Sequence, residues 1–184
     1  MPTIITHGIV GYSGSTIFSS RKQSVKFLLL STLCSILPDF DAISFKLGVK
    51  YGDFFGHRGF SHSIVFSVII AIIASIVTIK YIKVKNFRFW HYLIYFFIVT
   101  ISHSILDAFT DGGLGVALFS PFDNTRYFFP FHPIRVAPIS IFRFLSINGI
   151  QVLLSELLWV WFPLLVIIML KNKLKKEQSQ GQTD

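Results

Sequence analysis

Residues 63–79, SIVFSVIIAIIASIVTI, run for 17 positions without a charge, and residues 152–170 run for 19 with Glu156 as their single ionisable group. At 1.5 Å rise per residue, helices of this length reach across most or all of a hydrocarbon core about 30 Å thick. A third stretch, FWHYLIYFFIVTISHSIL at 89–106, places Trp90 and Tyr92 where interfacial aromatics belong. Three membrane spans are therefore expected. Residues 24–37 are too short to span, and HGIVGYSGSTIFSS at 7–20 is rich in small residues that favour helix contact over lipid exposure. Both are expected to pack against the three spans. The fold class is all-α: a polytopic membrane helical bundle of about five helices. Residues 1–170 form one membrane-embedded domain, and residues 171–184 form a basic, disordered cytoplasmic tail.

Charge density orients this zigzag. Residues 21–26, 80–88 and 171–184 hold 11 of the 17 Lys and Arg, while Lys46, Lys50, Arg58, Arg126, Arg135 and Arg143 fall in the other set of loops. The positive-inside rule assigns the dense set to the cytoplasm, so 38–62 and 107–149 face away from it in an inner or plasma membrane. The same basic loops account for the net charge of +8, which disfavours a nucleic-acid partner and leaves membrane lipids as the expected surroundings. Cys34 is alone, so no internal disulfide forms, and the uncharged Met1–Ile5 segment lacks the basic start of a secretory signal.

Five motifs concentrate the polar chemistry: THGIVG (6–11), LPDFD (37–41), GHRGFSHS (56–63), SHSILDAFTDGG (102–113) and SPFDNTRYFFPFHPI (120–134). On the zigzag, His7 starts the first helix, Asp39 and Asp41 end the second, His57 and His62 precede the third, and His103, Asp107 and Asp111 end the fourth. All eight fall at the non-cytoplasmic end. Carboxyls at helix ends are commonly caps and single intramembrane histidines commonly pack. Four His and four Asp gathered in lipid, however, are expensive unless they pair or hold cations. His103 and Asp107 are i,i+4 on one helical face, a spacing that lets two side chains share a metal. Pro38 is expected to stop the second helix and present Asp39 and Asp41 on an extended stretch, and Gly59 to supply the turn that aims His57 and His62 at one point. Imidazole and carboxylate donors suit a divalent metal, zinc foremost with manganese or iron as alternatives, and eight candidates suggest more than one ion, or one ion with supporting acids. Arg58 is the natural anion contact, with pairing to an aspartate as its plainer role. His91 is assigned to the interface and His132 to a loop rim; Arg126 and Arg135 either gather a headgroup or snorkel, and Glu156 has no partner that the sequence names.

The ordered set THGIVG, LPDFD, GHRGFSHS, SHSILDAFTDGG and SPF, covering about residues 3–135, resembles the YdjM-like family of LexA-binding, inner-membrane-associated metal-dependent hydrolases. The resemblance implies an all-helical bundle related in outline to zinc-dependent phospholipase C. It also implies a ligand set of His7, Asp39, Asp41, His57, His62, His103, Asp107 and Asp111 with Arg58 beside it; Ser61 stands where relatives often carry threonine. The expected activity is hydrolysis of a phosphoester in a phospholipid or lipid-linked substrate. In that reading Asp41 or Asp111 accepts a proton and Arg58 stabilises phosphoryl charge. The alternative is a non-catalytic membrane regulator or adaptor with a structural metal and a protein partner. Ion transport ranks below both, because the polar groups gather at one end and not at mid-membrane.

Overall fold

The computed structural model describes residues 1–19, 23–82, 88–138 and 141–180. Arg21, Lys22, Lys83 and Lys85, on which the charge-density reading partly rests, lie outside the described residues. The chain folds as α1 (Ile4–Phe18), α2 (Val25–Ile36), α3 (Ile64–Val77), α4 (Phe89–Ala108), the short α5 (Ile141–Phe144), α6 (Ile147–Glu156) and α7 (Phe162–Gln180). A wide turn over Leu157–Trp161 joins α6 to α7 without a break, so the main rods number five, and no strand occurs among the described residues.

Among the described residues, four helices are long and apolar enough to cross a membrane: Val25–Leu47, Ile64–Ile82, Phe89–Ala108 and Ile147–Gln178. The first corrects the expectation that α2 ends near Ile36. Pro38 does not stop the helix, because Leu37 N–H still reaches Leu33 O and a proline at the first turn of a new helical segment removes no needed donor. The chain continues as a tighter 3₁₀ helix over Leu37–Leu47, which lengthens the span to 23 residues. The C-terminal stretch also differs from expectation. Residues 171–180 continue α7 as helix, since no Gly or Pro interrupts them and Lys173 and Glu177 sit at i,i+4, 3.9 Å apart; residues 181–184 lie outside the described residues.

Packing follows the logic of lipid in place of water. On α3, Ser67, Ala71, Ala74 and Ser75 face inward while Ile69, Ile72, Ile73 and Ile76 are exposed, so small residues make the contacts and large apolar ones meet the lipid. The buried hydroxyls return to carbonyls of their own helices, Ser75 to Ala71 at 2.7 Å and Thr100 to Phe96 at 2.8 Å. Helix α1, at 15 residues, leans on α2 through Gly11. A Cβ there would stand 2.8 Å from Ser31 O, from Ser35 Cβ and from Thr32 Cα. Ser31 Oγ donates to Gly11 O and also pairs with the Tyr95 hydroxyl. Phe27, Tyr92, Tyr95, Phe96 and Val99 fill the apolar core on this side.

Loop 109–138 folds back over the opposite end. Ala117 N–H bonds Arg58 O at 3.0 Å, Ile64 N–H bonds Leu118 O at 2.9 Å, and Val116 pairs with Tyr127. This cover sits where the His and Asp residues meet.

A candidate metal centre

Helix α1 supplies His7, the 3₁₀ extension of α2 supplies Asp39 and Asp41, and α4 supplies His103 and Asp107. The 56–63 segment supplies His57, Arg58 and His62. His62 occupies the middle. In a 3₁₀ helix of three residues per turn, two positions apart means facing about 120° apart, so Asp39 and Asp41 do not share a side as an extended stretch would require. They address the two nitrogens of His62 instead: Asp41 Oδ2 is 3.1 Å from Nδ1 and Asp39 Oδ1 is 3.8 Å from Nε2.

The hydrogen bonds fix the tautomers. His103 Nδ1–H donates to Ser35 O at 2.7 Å, and His62 Nδ1–H has Asp41 Oδ2 as acceptor. Each ring is thereby left with an Nε2 lone pair. These two Nε2 atoms face each other at 3.1 Å, an arrangement of two acceptors that calls for a cation between them. Asp39 Oδ1 lies 3.4 Å from His103 Nε2, and Asp107 Oδ2 lies 3.5 Å from His62 Nε2. A tetrahedron with metal–ligand bonds of about 2.1 Å has edges of about 3.4 Å; four of the six donor separations, 3.1–3.8 Å, are close to that value, and all six lie within 4.8 Å. All four residues are buried.

Orphaned polar atoms give a second test of fit. Among the described residues, His7 Nδ1 and Nε2, Asp39 Oδ1 and Oδ2, and Asp107 Oδ1 are buried without a hydrogen-bond partner, and Asp107 Oδ2 has the ion pair with Arg58 Nε at 2.9 Å. Each such group left empty costs about 1–3 kcal/mol, and a divalent cation removes that penalty for several at once. His7 extends the cluster: its ring stacks on His103 at 3.7 Å and its Nε2 is 3.4 Å from Asp107 Oδ1. Burial and the neighbouring His103 hold its pKa down at about 4, against the pull of Asp107, so it is neutral and ready to ligate. For His62 burial is outweighed by Asp107 and Asp41, which push it up to about 9, so without a metal its Nε2 holds a proton that points at His103 Nε2, and a bound cation would take the place of that proton.

A second grouping, Asp41, His57 and His62, also has metal-ligand spacing. Its distances, however, are those of hydrogen bonds. Asp41 Oδ1 accepts from His57 Nδ1 at 2.7 Å, and Oδ2 accepts from Ser61 Oγ at 2.5 Å and from Arg58 N–H at 3.1 Å. With both oxygens taken, Asp41 holds His57 and His62 in orientation, as carboxylates behind metal-bound imidazoles do.

Three expectations change in detail. The left-handed turn falls on Arg58, at φ 61°, and not on Gly59. Gly59 is needed for space, since a Cβ would stand 2.3 Å from Phe54 O. Arg58 is fully buried with Nε 2.9 Å from Asp107 Oδ2, and its other nitrogens donate to Gly112 O and Thr110 Oγ1, so it is first a partner of Asp107 and not an open anion contact. Asp111 stands apart from the cluster. Helix α4 ends at Ala108 and Thr110 pairs with Ile134, which turns Asp111 outward, where Oδ1 accepts from Val136 N–H at 2.8 Å. Arg126 donates to His57 O and Tyr51 O, and Arg135 to Gln151 Oε1, so both brace loops. His91 and His132 are exposed and outside the cluster. The sequence reading missed Tyr51, a half-buried phenol whose ring meets His57 edge-on at 5.3 Å and whose pKa is raised by burial; nothing in its spacing marks it.

The comparisons with known proteins agree with this picture of a membrane bundle. A family model described as YdjM inner membrane protein matches residues 1–174. Inner membrane protein YbcI of Escherichia coli (strain K12) is 38% identical over 163 residues, covering 89% of this chain and 92% of that protein. No solved structure matches the chain. With a family match that covers the His/Asp cluster, three candidate spans whole and most of the fourth, the chain belongs to the YdjM family of inner membrane proteins.

Proposed function

We propose that this protein is a membrane-bound, metal-dependent hydrolase of phosphoesters, acting on a phospholipid or lipid-linked substrate at the non-cytoplasmic face of the inner membrane. The observation that carries the reading is the buried set of Nε2 and carboxyl atoms of Asp39, His62, His103 and Asp107, with four mutual separations of 3.1–3.8 Å, in which neither Asp39 oxygen has a hydrogen-bond partner and Asp107 is paired with Arg58. A donor set of two nitrogens and two oxygens fits zinc first, with manganese or iron as alternatives, and the hydrogen-bonded state of Asp41 favours one ion over several. When bound, the cation would supply Lewis acidity toward a phosphoryl oxygen and lower the pKa of water in the site.

The remaining work belongs to the chain. Asp41, saturated with donors, is a poor proton acceptor, and Asp111 is exposed outside the buried cluster with Oδ1 held by Val136 N–H. His57 is better placed: its Nδ1–H is held by Asp41, which leaves Nε2 to take a proton. Arg58 fixes Asp107 and neutralises it before substrate arrives. The density of Lys and Arg in residues 21–26, 80–88 and 171–184 supports a site that faces away from the cytoplasm.

The complete burial of His62, His103 and Asp107 favours a second reading, a regulator or adaptor with a structural metal, because structural sites are closed by protein while catalytic ones keep an open position. One experiment separates the two. Protein purified in detergent is assayed for bound metal and for hydrolysis of phospholipids, lipid-linked phosphates and simple phosphodiesters. Stoichiometric metal with hydrolysis abolished by His57→Ala supports the hydrolase; stoichiometric metal with no hydrolysis of any of them supports the regulator, and no metal refutes both.

A further inference from the structure

Glu156 is fully buried in the last span, forms no ion pair among the described residues, and yet has its acceptors filled. Oε2 accepts from Thr3 Oγ1 and Thr6 Oγ1, each at 2.7 Å, and Oε1 accepts from Thr3 N–H. Thr3 is the N-cap of α1, and its own Oγ1 accepts from Thr6 N–H at 3.3 Å. The Glu156 carboxyl thus satisfies orphan donors at the start of α1, where the helix dipole favours an acceptor. One residue after Thr6 comes His7, whose backbone carbonyl is held by Ser35 Oγ at 2.7 Å.

The wide turn over Leu157–Trp161 completes the clamp. At 3.6 residues per turn, positions 156 and 161 would lie about 140° apart on the helix. A turn with an extra residue brings them back toward one side. Accordingly Trp161 Nε1–H donates to Thr6 Oγ1 at 2.7 Å, the same hydroxyl that donates to Glu156.

We infer that Glu156 is a positioning residue for His7: through Thr3 and Thr6 it sets the depth and rotation of α1, so that the His7 imidazole stacks on His103 beside Asp107, and it thereby couples the last span to the metal centre without touching it. The inference rests on the metal-binding reading, and the test keeps the two apart.

Zinc affinity of the full chain in detergent, measured against a chromophoric chelator, is compared for wild type, Glu156→Ala, His7→Ala and the double variant. Glu156→Ala is expected to weaken zinc binding by about 10–100-fold, the range for residues that orient ligands. It should add nothing further in the His7→Ala background. Glu156→Gln, which keeps one carbonyl acceptor for Thr3 N–H, should recover most of the loss. Hydrogen exchange of the metal-free protein should show faster exchange in residues 4–8 of Glu156→Ala, with α3 and α4 unchanged. Equal fold-losses in both backgrounds, or unchanged affinity, overturn the inference. If wild type binds none of zinc, manganese or iron, the metal reading fails, and the exchange experiment alone then decides whether Glu156 sets α1. Should Glu156→Ala not fold, Thr6→Val and Trp161→Phe weaken the same clamp from its other side and are read in the same way.

Discussion

Asp107→Asn removes one negative charge and almost no volume, so its effect reads the electrostatics of the centre. Asp107 and Arg58 are both fully buried, with Nε to Oδ2 at 2.9 Å, and the other Arg58 side-chain partners, Gly112 O and Thr110 Oγ1, are neutral. The variant therefore leaves a buried guanidinium without its counter-ion, a change that costs about 3–5 kcal/mol. For a chain of this size each kcal/mol moves Tm by about 2–4 °C, so the midpoint should fall by roughly 6–20 °C. Cys34, 3% exposed among the core side chains, is a built-in probe: a thiol-reactive dye reports unfolding as it becomes accessible. The measurement is made on chelator-treated protein, so that ligand loss does not add to the effect. Adding Arg58→Met to Asp107→Asn removes the stranded charge and should restore much of the midpoint while metal binding stays lost. A midpoint for Asp107→Asn within about 2 °C of wild type, or no recovery in the double variant, refutes the assignment of Arg58 as the counter-ion of Asp107.

His103→Ala should abolish stoichiometric metal binding, since its Nε2 faces both Asp39 and His62; metal retained after dialysis would refute the ligand set. Gly11→Ala forces a methyl to within 2.8 Å of two α2 backbone atoms, and should destabilise the protein by about 1–3 kcal/mol in the same thiol assay, whereas an unchanged midpoint would show that α1 and α2 separate readily. In a Cys34→Ala background, a cysteine at Asn124 should react with an impermeant reagent in intact cells and one at Lys176 should not. The reverse pattern would invert the topology and put the site on the cytoplasmic side.

The gathering of His7, Asp39, His62, His103 and Asp107 was legible because apolar runs alternate in direction across a bilayer, and a residue at the end of a run has only two places to be. That argument needs no side-chain geometry. It fails wherever the run's end is set by local backbone chemistry. Asp111 sits one turn beyond Asp107 in sequence, but the Thr110–Ile134 pairing ends α4 first and sends it outward. The partner of Glu156 lies 153 and 150 residues away at Thr3 and Thr6, and it meets them beside a widened turn whose occurrence no residue pattern in LLWVW announces.

The division of labour between Asp39 and Asp41 turns on a single local choice. Had Pro38 ended the helix, the two carboxyls would project to one side and compete for the same ion. Because a proline at a first helical turn lacks only a donor that the turn does not use, the chain instead tightens into three residues per turn and splits them. One carboxyl then faces His62 Nε2 and His103 Nε2 and keeps both oxygens free of hydrogen bonds; the other binds His57, Ser61, the Arg58 amide and His62 Nδ1 and keeps neither free. The prediction is asymmetric. Asp39→Asn should remove metal while leaving the 56–63 segment in place, whereas Asp41→Asn should release that segment, seen as faster amide exchange at Arg58 and His62, and weaken metal by about 10–100-fold through His62. Identical behaviour of the two variants would mean that both aspartates ligate, and the reading of a single ion with a supporting carboxyl would fall.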